Sequence, residues 1–220
     1  MKPLTLASAT LAVLLVACAS RPDDALAPGP GASADDIAAA ADRLAARGRE
    51  LDQAGQADAA LRDFDGALRL QPTHVRARID RAWLHLRAGR PEQALADADR
   101  ALLFGPNDPT VRTTRCVAQV ASERSDAGLK HCQYALLSPG HDASTHTALG
   151  QALLVLGRHR EAATSFERAL AAEPSHMPAL YGRGAARLQA GDPAGQADLD
   201  EALRQSPRAA QGLVGLTMGR

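Results

Sequence analysis

The chain has 220 residues, with 25 Lys+Arg against 25 Asp+Glu and a formal net charge of zero. That balance argues against a nucleic-acid binder, which carries a basic excess or stripe, and against an acidic solvating tail. Aromatic residues make up only 3 % of the chain, so alanine and leucine must build the core, which suits close-packed helices better than a β-sandwich. All the basic residues except Lys2 and Lys130 are arginine. With the alanine excess, this marks a GC-rich genome rather than a function.

Residues 1–17 read as an export address. Met1-Lys2 gives a short positive start, and Leu4 to Val16 is apolar apart from Thr5, Ser8 and Thr10. The run is too short to span a bilayer but fits the apolar region of a secretory signal. It ends in Leu15-Val16-Ala17-Cys18, which resembles the bacterial lipobox. The resemblance implies cleavage before Cys18 and lipidation of that cysteine, with ~0.8 kcal/mol of anchoring per buried methylene. A plain signal peptide cut near Ala17 or Ala19 is the other reading. In lipoproteins of this kind an Asp after the cysteine marks inner-membrane retention. Ala19 stands there instead, which implies the outer membrane, facing the periplasm. Residues 18–34 hold Pro22, Pro28, Pro30, Gly29 and Gly31 without a periodic apolar pattern, and are expected to form a flexible tether with a reach of about 20–25 Å.

The remainder follows a 34-residue period. Gly55, Gly89, Gly157 and Gly191 keep it, with Glu123 in the vacant slot. Gly48, Ala82, Cys116, Gly150 and Gly184 keep it throughout, as do Ala60, Ala94, Gly128 and Ala162. Ala67, Ala101, Ala135 and Ala169 continue to Ala202, and Pro72, Pro106 and Pro174 to Pro207, each one residue short at the last step. Each unit reads as a helix hairpin. The first helix has a small residue at mid-length and closes on a turn glycine. In the second, Ala162, Phe166 and Ala169 share one face, and Pro174 stops the helix.

This pattern resembles the tetratricopeptide repeat (TPR), on Leu149-Gly150, Ala162, Phe166 and Pro174 and again on Gly48, Ala60, Phe64 and Pro72. The resemblance implies an all-α solenoid over 35–207 of five units, at about 41–74, 75–108, 109–142, 143–176 and 177–207. The third unit is degenerate, and the fifth lacks a residue near Pro193 to Gly195. Residues 208–220 are expected as a capping helix and tail that covers the last apolar face. Ser33, three residues before Asp36, is placed to cap a first helix that starts before the repeat minimum.

With Cys18 lipidated, Cys116 and Cys132 remain. Cys116 takes the small first-helix slot of the third unit, and Cys132 the slot held by Phe64 and Phe166 elsewhere. These slots face each other across a hairpin, and export places them in an oxidising compartment. A Cys116–Cys132 disulfide is expected, contributing roughly 3 kcal/mol to the most degenerate repeat. Two buried free thiols or a redox-active pair are the alternatives. The stretches Arg115-Cys116, His131-Cys132-Gln133-Tyr134-Ala135-Leu136 and Leu180-Tyr181-Gly182-Arg183-Gly184-Ala185 are similar to a group of exported TPR proteins. That likeness implies fold and disulfide, not a substrate.

Catalytic signatures are lacking. Gly182-Arg183-Gly184 falls mid-helix with no preceding strand, so it reads as helix packing rather than a phosphate loop. The seven histidines do not cluster, no metal-ligand spacing occurs, and there is no nucleophile elbow. Asp63, Asp97 and Asp198 recur just before the second-helix core slot and read as a solvated face or an inter-repeat contact. The expectation is a non-enzyme with no cofactor and no metal.

In the fold that the resemblance implies, the first helices line a concave groove. Carried onto this chain, the inward positions are Arg76, Ile79, Trp83, Leu86 and Arg87, followed by Val117, Val120, Gln151, Leu154, Tyr181 and Leu188. Trp83 and the arginines are the candidate hot spots for a protein or peptide. Trp83 packing on a neighbouring helix is the competing reading, and Ile79, Leu86 and Leu154 also suit packing between repeats. The two-carboxylate clamp of chaperone-binding relatives is not expected, because Asp80 stands where that pattern has Asn. The sequence thus points to a membrane-anchored periplasmic scaffold or adaptor, with envelope assembly such as pilus or secretion machinery as the implied process. A thiol-redox module and a purely structural spacer are the alternatives.

Overall fold

The computed structural model describes residues 29, 31–123, 126–137 and 142–206. The expected signal peptide, Cys18, most of the expected tether and the expected capping helix over 208–220 lie outside them. The described residues form α1 (Ala34–Gln53) and α2 (Ala57–Leu70), α3 (Val75–Arg87) and α4 (Pro91–Phe104), α5 (Pro109–Glu123) and α6 (Leu129–Leu136), α7 (Ala143–Val155) and α8 (His159–Ala172), and α9 (Met177–Gln189) and α10 (Gly195–Gln205). A 3-10 turn over Asp126–Gly128 leads into α6. Among the described residues there is no strand.

Local chemistry sets the helix ends. The Ser33 hydroxyl accepts from the Asp36 N–H at 3.2 Å, and the Asp36 carboxylate accepts from the Ser33 N–H at 3.0 Å. This reciprocal cap starts α1, and the Ser33 hydrogen bonds hold the Asp36 carboxyl below its usual pKa. Gly55, Gly89, Gly157 and Gly191 turn four of the hairpins at φ of 77, 69, 73 and 85°, a conformation that costs other residues about 1–2 kcal/mol. Pro72, Pro106 and Pro174 each stand two positions past the end of a second helix, where their missing N–H breaks no helical bond.

Each hairpin closes where one residue of its first helix meets one of its second. The facing pairs are Gly48 with Phe64, Cys116 with Cys132, Gly150 with Phe166, and Gly184 with Leu199, and the second hairpin has the buried alanines Ala82 and Ala98 at the corresponding sequence positions. Where the second residue is large, the first has no side chain at all. A Cβ at Gly48 or Gly150 would sit 2.7 Å from the facing ring, and one at Gly184 would sit 2.9 Å from the Leu199 side chain. Phe166 also lies over Gly182 of the next hairpin, so one ring joins the fourth hairpin to the fifth. In the third hairpin the Cys116 and Cys132 sulfurs are 2.02 Å apart, with their Cα atoms 5.4 Å apart.

The two layers of the stack pack differently. First helices of successive hairpins pack on one another, α1 on α3, α3 on α5, α5 on α7 and α7 on α9. Second helices reach the next hairpin through its first helix, as α4 does on α5 and α8 on α9. The first helices therefore form the inner, shorter layer. The apolar side chains divide into three clusters along the stack, and the largest runs from Ala82 to Ala186.

The Phe166 contact yields a paired prediction. Phe166→Ala is expected to cost about 3–5 kcal/mol through lost burial and the cavity left. Gly182→Ala should cost about 1–3 kcal/mol by forcing a methyl against the ring. Combined in one chain the two should cost less than their sum, because removal of the ring relieves the clash. Urea melts of the three variants check this, and strict additivity would contradict the shared contact.

Candidate protein-interaction site

The inner layer is more tightly closed than the sequence expectation. Ile79, Leu86, Val117, Val120, Gln151 and Leu154 were expected in an open groove, with packing between repeats as the other reading for Ile79, Leu86 and Leu154. All six are buried, none more than 5 % exposed. The reason is the contact between successive first helices, which covers the midline of their inner faces. Ile79 packs with Ala101 and Val111, whereas Leu86, Val117, Val120 and Leu154 belong to the long central cluster. These residues space the hairpins, so in this arrangement they present no free surface.

The other expected positions remain accessible. Arg76 is exposed, Trp83 and Tyr181 are half-buried, and Leu188 is 38 % exposed. Trp83 packs against both adjoining apolar clusters, as its competing reading anticipated, and still keeps part of its ring at the surface. Arg76 Nε donates to Asp80 Oδ1 at 3.1 Å, and Arg49 of the preceding hairpin lies 3.4 Å from Asp80 Oδ2. Arg49 occupies in α1 the position that Trp83 occupies in α3. Two guanidiniums thus share one carboxylate beside the tryptophan, and the cluster has a local positive excess. Arg87 is half-buried and pairs with Asp52 across the first interface.

A second charged feature was misread from the sequence. Asp63, Asp97 and Asp198 face neither water nor, mainly, the next repeat. They are buried and paired within their own hairpins. Arg47 Nε and Nη2 bind Asp63 at 2.6 and 2.5 Å. Arg81 binds Asp97 at 2.8 and 2.6 Å, and Arg183 binds Asp198 at 2.7 and 2.6 Å. Each is a two-pronged guanidinium–carboxylate match. Asp97 holds the Arg81 guanidinium above its ordinary pKa, and Asp198 does the same for Arg183. The arginines also bridge backwards: Arg81 reaches Asp65 and Arg115 reaches Asp99, both at 2.6 Å. The result is a ladder of charges that ties second helix to first helix and hairpin to hairpin.

The third and fourth hairpins depart from this scheme: His131 and Ser165 stand at the positions of Asp63 and Asp97, and His131 contacts Arg115, whereas Leu149 takes the arginine position in the fourth. Burial, and then the neighbouring Arg115 charge, pushes the His131 pKa down. Cys116 and Cys132 are fully buried, so neither sulfur is open to a substrate thiol in this arrangement. Among the described residues no group of three or more His, Cys, Asp or Glu is placed to hold a metal, and no helix is long and apolar enough to cross a membrane.

The ladder generates two expectations. Asp97→Asn leaves the Arg81 guanidinium without its main partner. It should cost roughly 3 kcal/mol, the lower end for a broken buried pair, because the Arg81 side chain keeps 21 % exposure. His131, with a folded-state pKa below the ordinary value of about 6.5, lets the unfolded chain take up its proton first. Its contribution is therefore complete above about pH 6.5 and is lost as pH falls below that. His131→Asp should restore the ladder pair with Arg115 and flatten the stability loss between pH 7 and 5. Urea midpoints across that range check both, and an unchanged slope in His131→Asp would contradict the assignment.

Known proteins share this architecture. Tetratricopeptide repeat profiles match residues 53–115 and 147–214, together more than half of the chain. The crystal structure of TTC0263, a TPR protein of Thermus thermophilus, superposes with a TM-score of 0.65 at 24 % identity, over 79 % of this chain and 99 % of that one. A TPR protein of Parabacteroides merdae gives a TM-score of 0.64 at 17 % identity, over 84 % of this chain and 77 % of its own. Pseudomonas aeruginosa pilF gives a TM-score of 0.53 at 15 % identity, over 85 % of this chain and 79 % of its own. At these identities the likeness is one of fold. No curated protein sequence matches significantly. With the repeat profiles, the helix hairpins and these superpositions in agreement, the chain belongs to the tetratricopeptide repeat family, whose fold serves as a scaffold that binds proteins or peptides.

Proposed function

We propose that this protein is a lipid-anchored scaffold of the bacterial envelope. Cys18 carries the lipid, the tether spaces the solenoid from the membrane, and the inner layer of first helices holds a partner protein. The observation that carries this reading is the Trp83 cluster. A half-buried indole on the inner layer stands with Arg49 and Arg76, whose charges exceed that of Asp80. A partly exposed tryptophan flanked by arginines is the composition of a binding hot spot, and the charge excess suits an acidic segment. Tyr181 and Leu188 extend the accessible row towards the last hairpin. The Cys116–Cys132 bond suits an oxidising periplasm, and the outer-membrane assignment rests on Ala19.

The implied process is envelope assembly, such as that of a pilus or secretion machine. The support for it is the lipobox, the size of the chain and the scaffold fold. The structural neighbours contribute fold alone.

The experiment is crosslinking and capture from intact envelopes with wild type, Trp83→Asp and Cys18→Ser. The expected result is one protein recovered with wild type and reduced at least tenfold with Trp83→Asp, together with release of Cys18→Ser from the membrane fraction. Equal recovery with Trp83→Asp would move the binding surface off this cluster. A Cys18→Ser protein that stays in the membrane fraction would remove the lipid anchor from the account.

A further inference from the structure

A notch opens where the turn of the first hairpin meets that of the second. It encloses about 310 Å³ and is lined by Asp52, Gly55, Ala57, Leu61, Leu84, Arg87, Ala88 and Arg90. Its floor is apolar, from Leu61, Leu84, Ala57 and Ala88. Of its three charged groups, Asp52 and Arg87 are committed to each other. Arg90 forms no ion pair among the described residues, and its Nε is buried without a hydrogen-bond partner. A buried guanidinium nitrogen with no acceptor is costly. Here it borders an apolar space with room for more than an aromatic ring, since a cavity of about 150 Å³ already takes a benzene.

The notch is not a generic product of the repeat. The corresponding site between the fourth and fifth hairpins is lined by Gly157, Arg158, His159, Arg160, Glu161 and Ala190. There Arg158 is bound to Glu161 through two 2.7 Å contacts. Alanines Ala163 and Ala186 replace Leu61 and Leu84, and Asp192 takes the place of Arg90. The apolar floor and the uncommitted cation occur together at the first interface.

We infer that this notch is a second docking point, at which a partner protein inserts a large apolar side chain while an adjacent Asp or Glu pairs with Arg90. The inference rests on the scaffold reading but uses a surface separate from Trp83. A partner segment with phenylalanine beside glutamate meets both requirements, with the ring over Leu61 and Leu84 and the carboxylate on the orphaned guanidinium.

The test titrates acetyl-Gly-Phe-Glu-Gly-amide into the 15N-labelled protein and follows the amides of Gly55, Ala57 and Ala88. The expected result is saturable shifts at these amides, with binding weakened about fivefold or more when Glu is replaced by Gln, as the loss of a charge-assisted bond requires. Arg90→Gln should abolish that preference, and Ala57→Phe, which fills the notch while keeping Arg90, should block both peptides. Equal binding of the Glu and Gln peptides would overturn the inference. So would shifts centred on Trp83 and Tyr181, although that outcome leaves the scaffold reading standing. Notch resonances that move with protein concentration alone would assign the site to a second copy of the chain and likewise overturn it. Loss of envelope capture in Trp83→Asp with the notch titration intact would separate the two surfaces.

Discussion

The structure depends on how closely two helices approach at the waist of each hairpin. That approach is set by the summed size of two facing residues, and the chain meets the constraint in several ways. Glycine against a phenylalanine or leucine and cysteine against cysteine both appear at this crossing. Close packing tolerates neither void nor overlap of even a methyl group, so each solution is a matched pair. This explains how a core with so few rings can be dense. The bulk comes from backbone brought near, and a ring is inserted only where the opposite residue is glycine.

The charged ladder acts on the same geometry from the side. A guanidinium that grips a carboxylate with two prongs has one good orientation, so Arg47, Arg81 and Arg183 fix the rotation of first helix against second in the first, second and fifth hairpins. The backward contacts of Arg81 and Arg115 carry that register to the preceding hairpin. Register then decides which side chains meet between first helices and which remain at the surface. Trp83 remains partly exposed for that reason, and Ile79, four residues earlier and so one helical turn away, does not.

Much of this was legible in the sequence. The period, the turn glycines, the helix-stopping prolines and the Ser33 cap each have a local physical cause and appear where that cause puts them. The ladder was legible in principle and was missed. Arg47, Arg81, Arg115 and Arg183 keep the 34-residue grid, and Asp63 and Asp97 follow their arginines by sixteen residues, Asp198 by fifteen. A lone recurring acid looks solvated, and only the arginine of equal period reveals it as half of a buried pair. The burial of six of the groove candidates has another cause. Helical spacing assigns Val117 and Gln151 to a face, but how closely the next first helix packs on that face is a tertiary quantity. The notch has no single-repeat signature, because its lining comes from two turns and its distinguishing residue, Arg90, is notable only for lacking a partner.

If each hairpin is held at its own crossing, stability is local and the third hairpin is the weak unit. Its turn lacks the glycine, its α6 has 8 residues where α4 and α8 have 14, and His131 replaces the ladder aspartate. The Cys116–Cys132 link is then the main covalent restraint on it. The most direct measurement is hydrogen exchange of the protein before and after reduction of that link. The account predicts that reduction sharply raises exchange in α5 and α6 while α1 to α4 keep their protection. Uniform loss across all helices, or no change in α6, would contradict the claim that each hairpin is closed by its own pair.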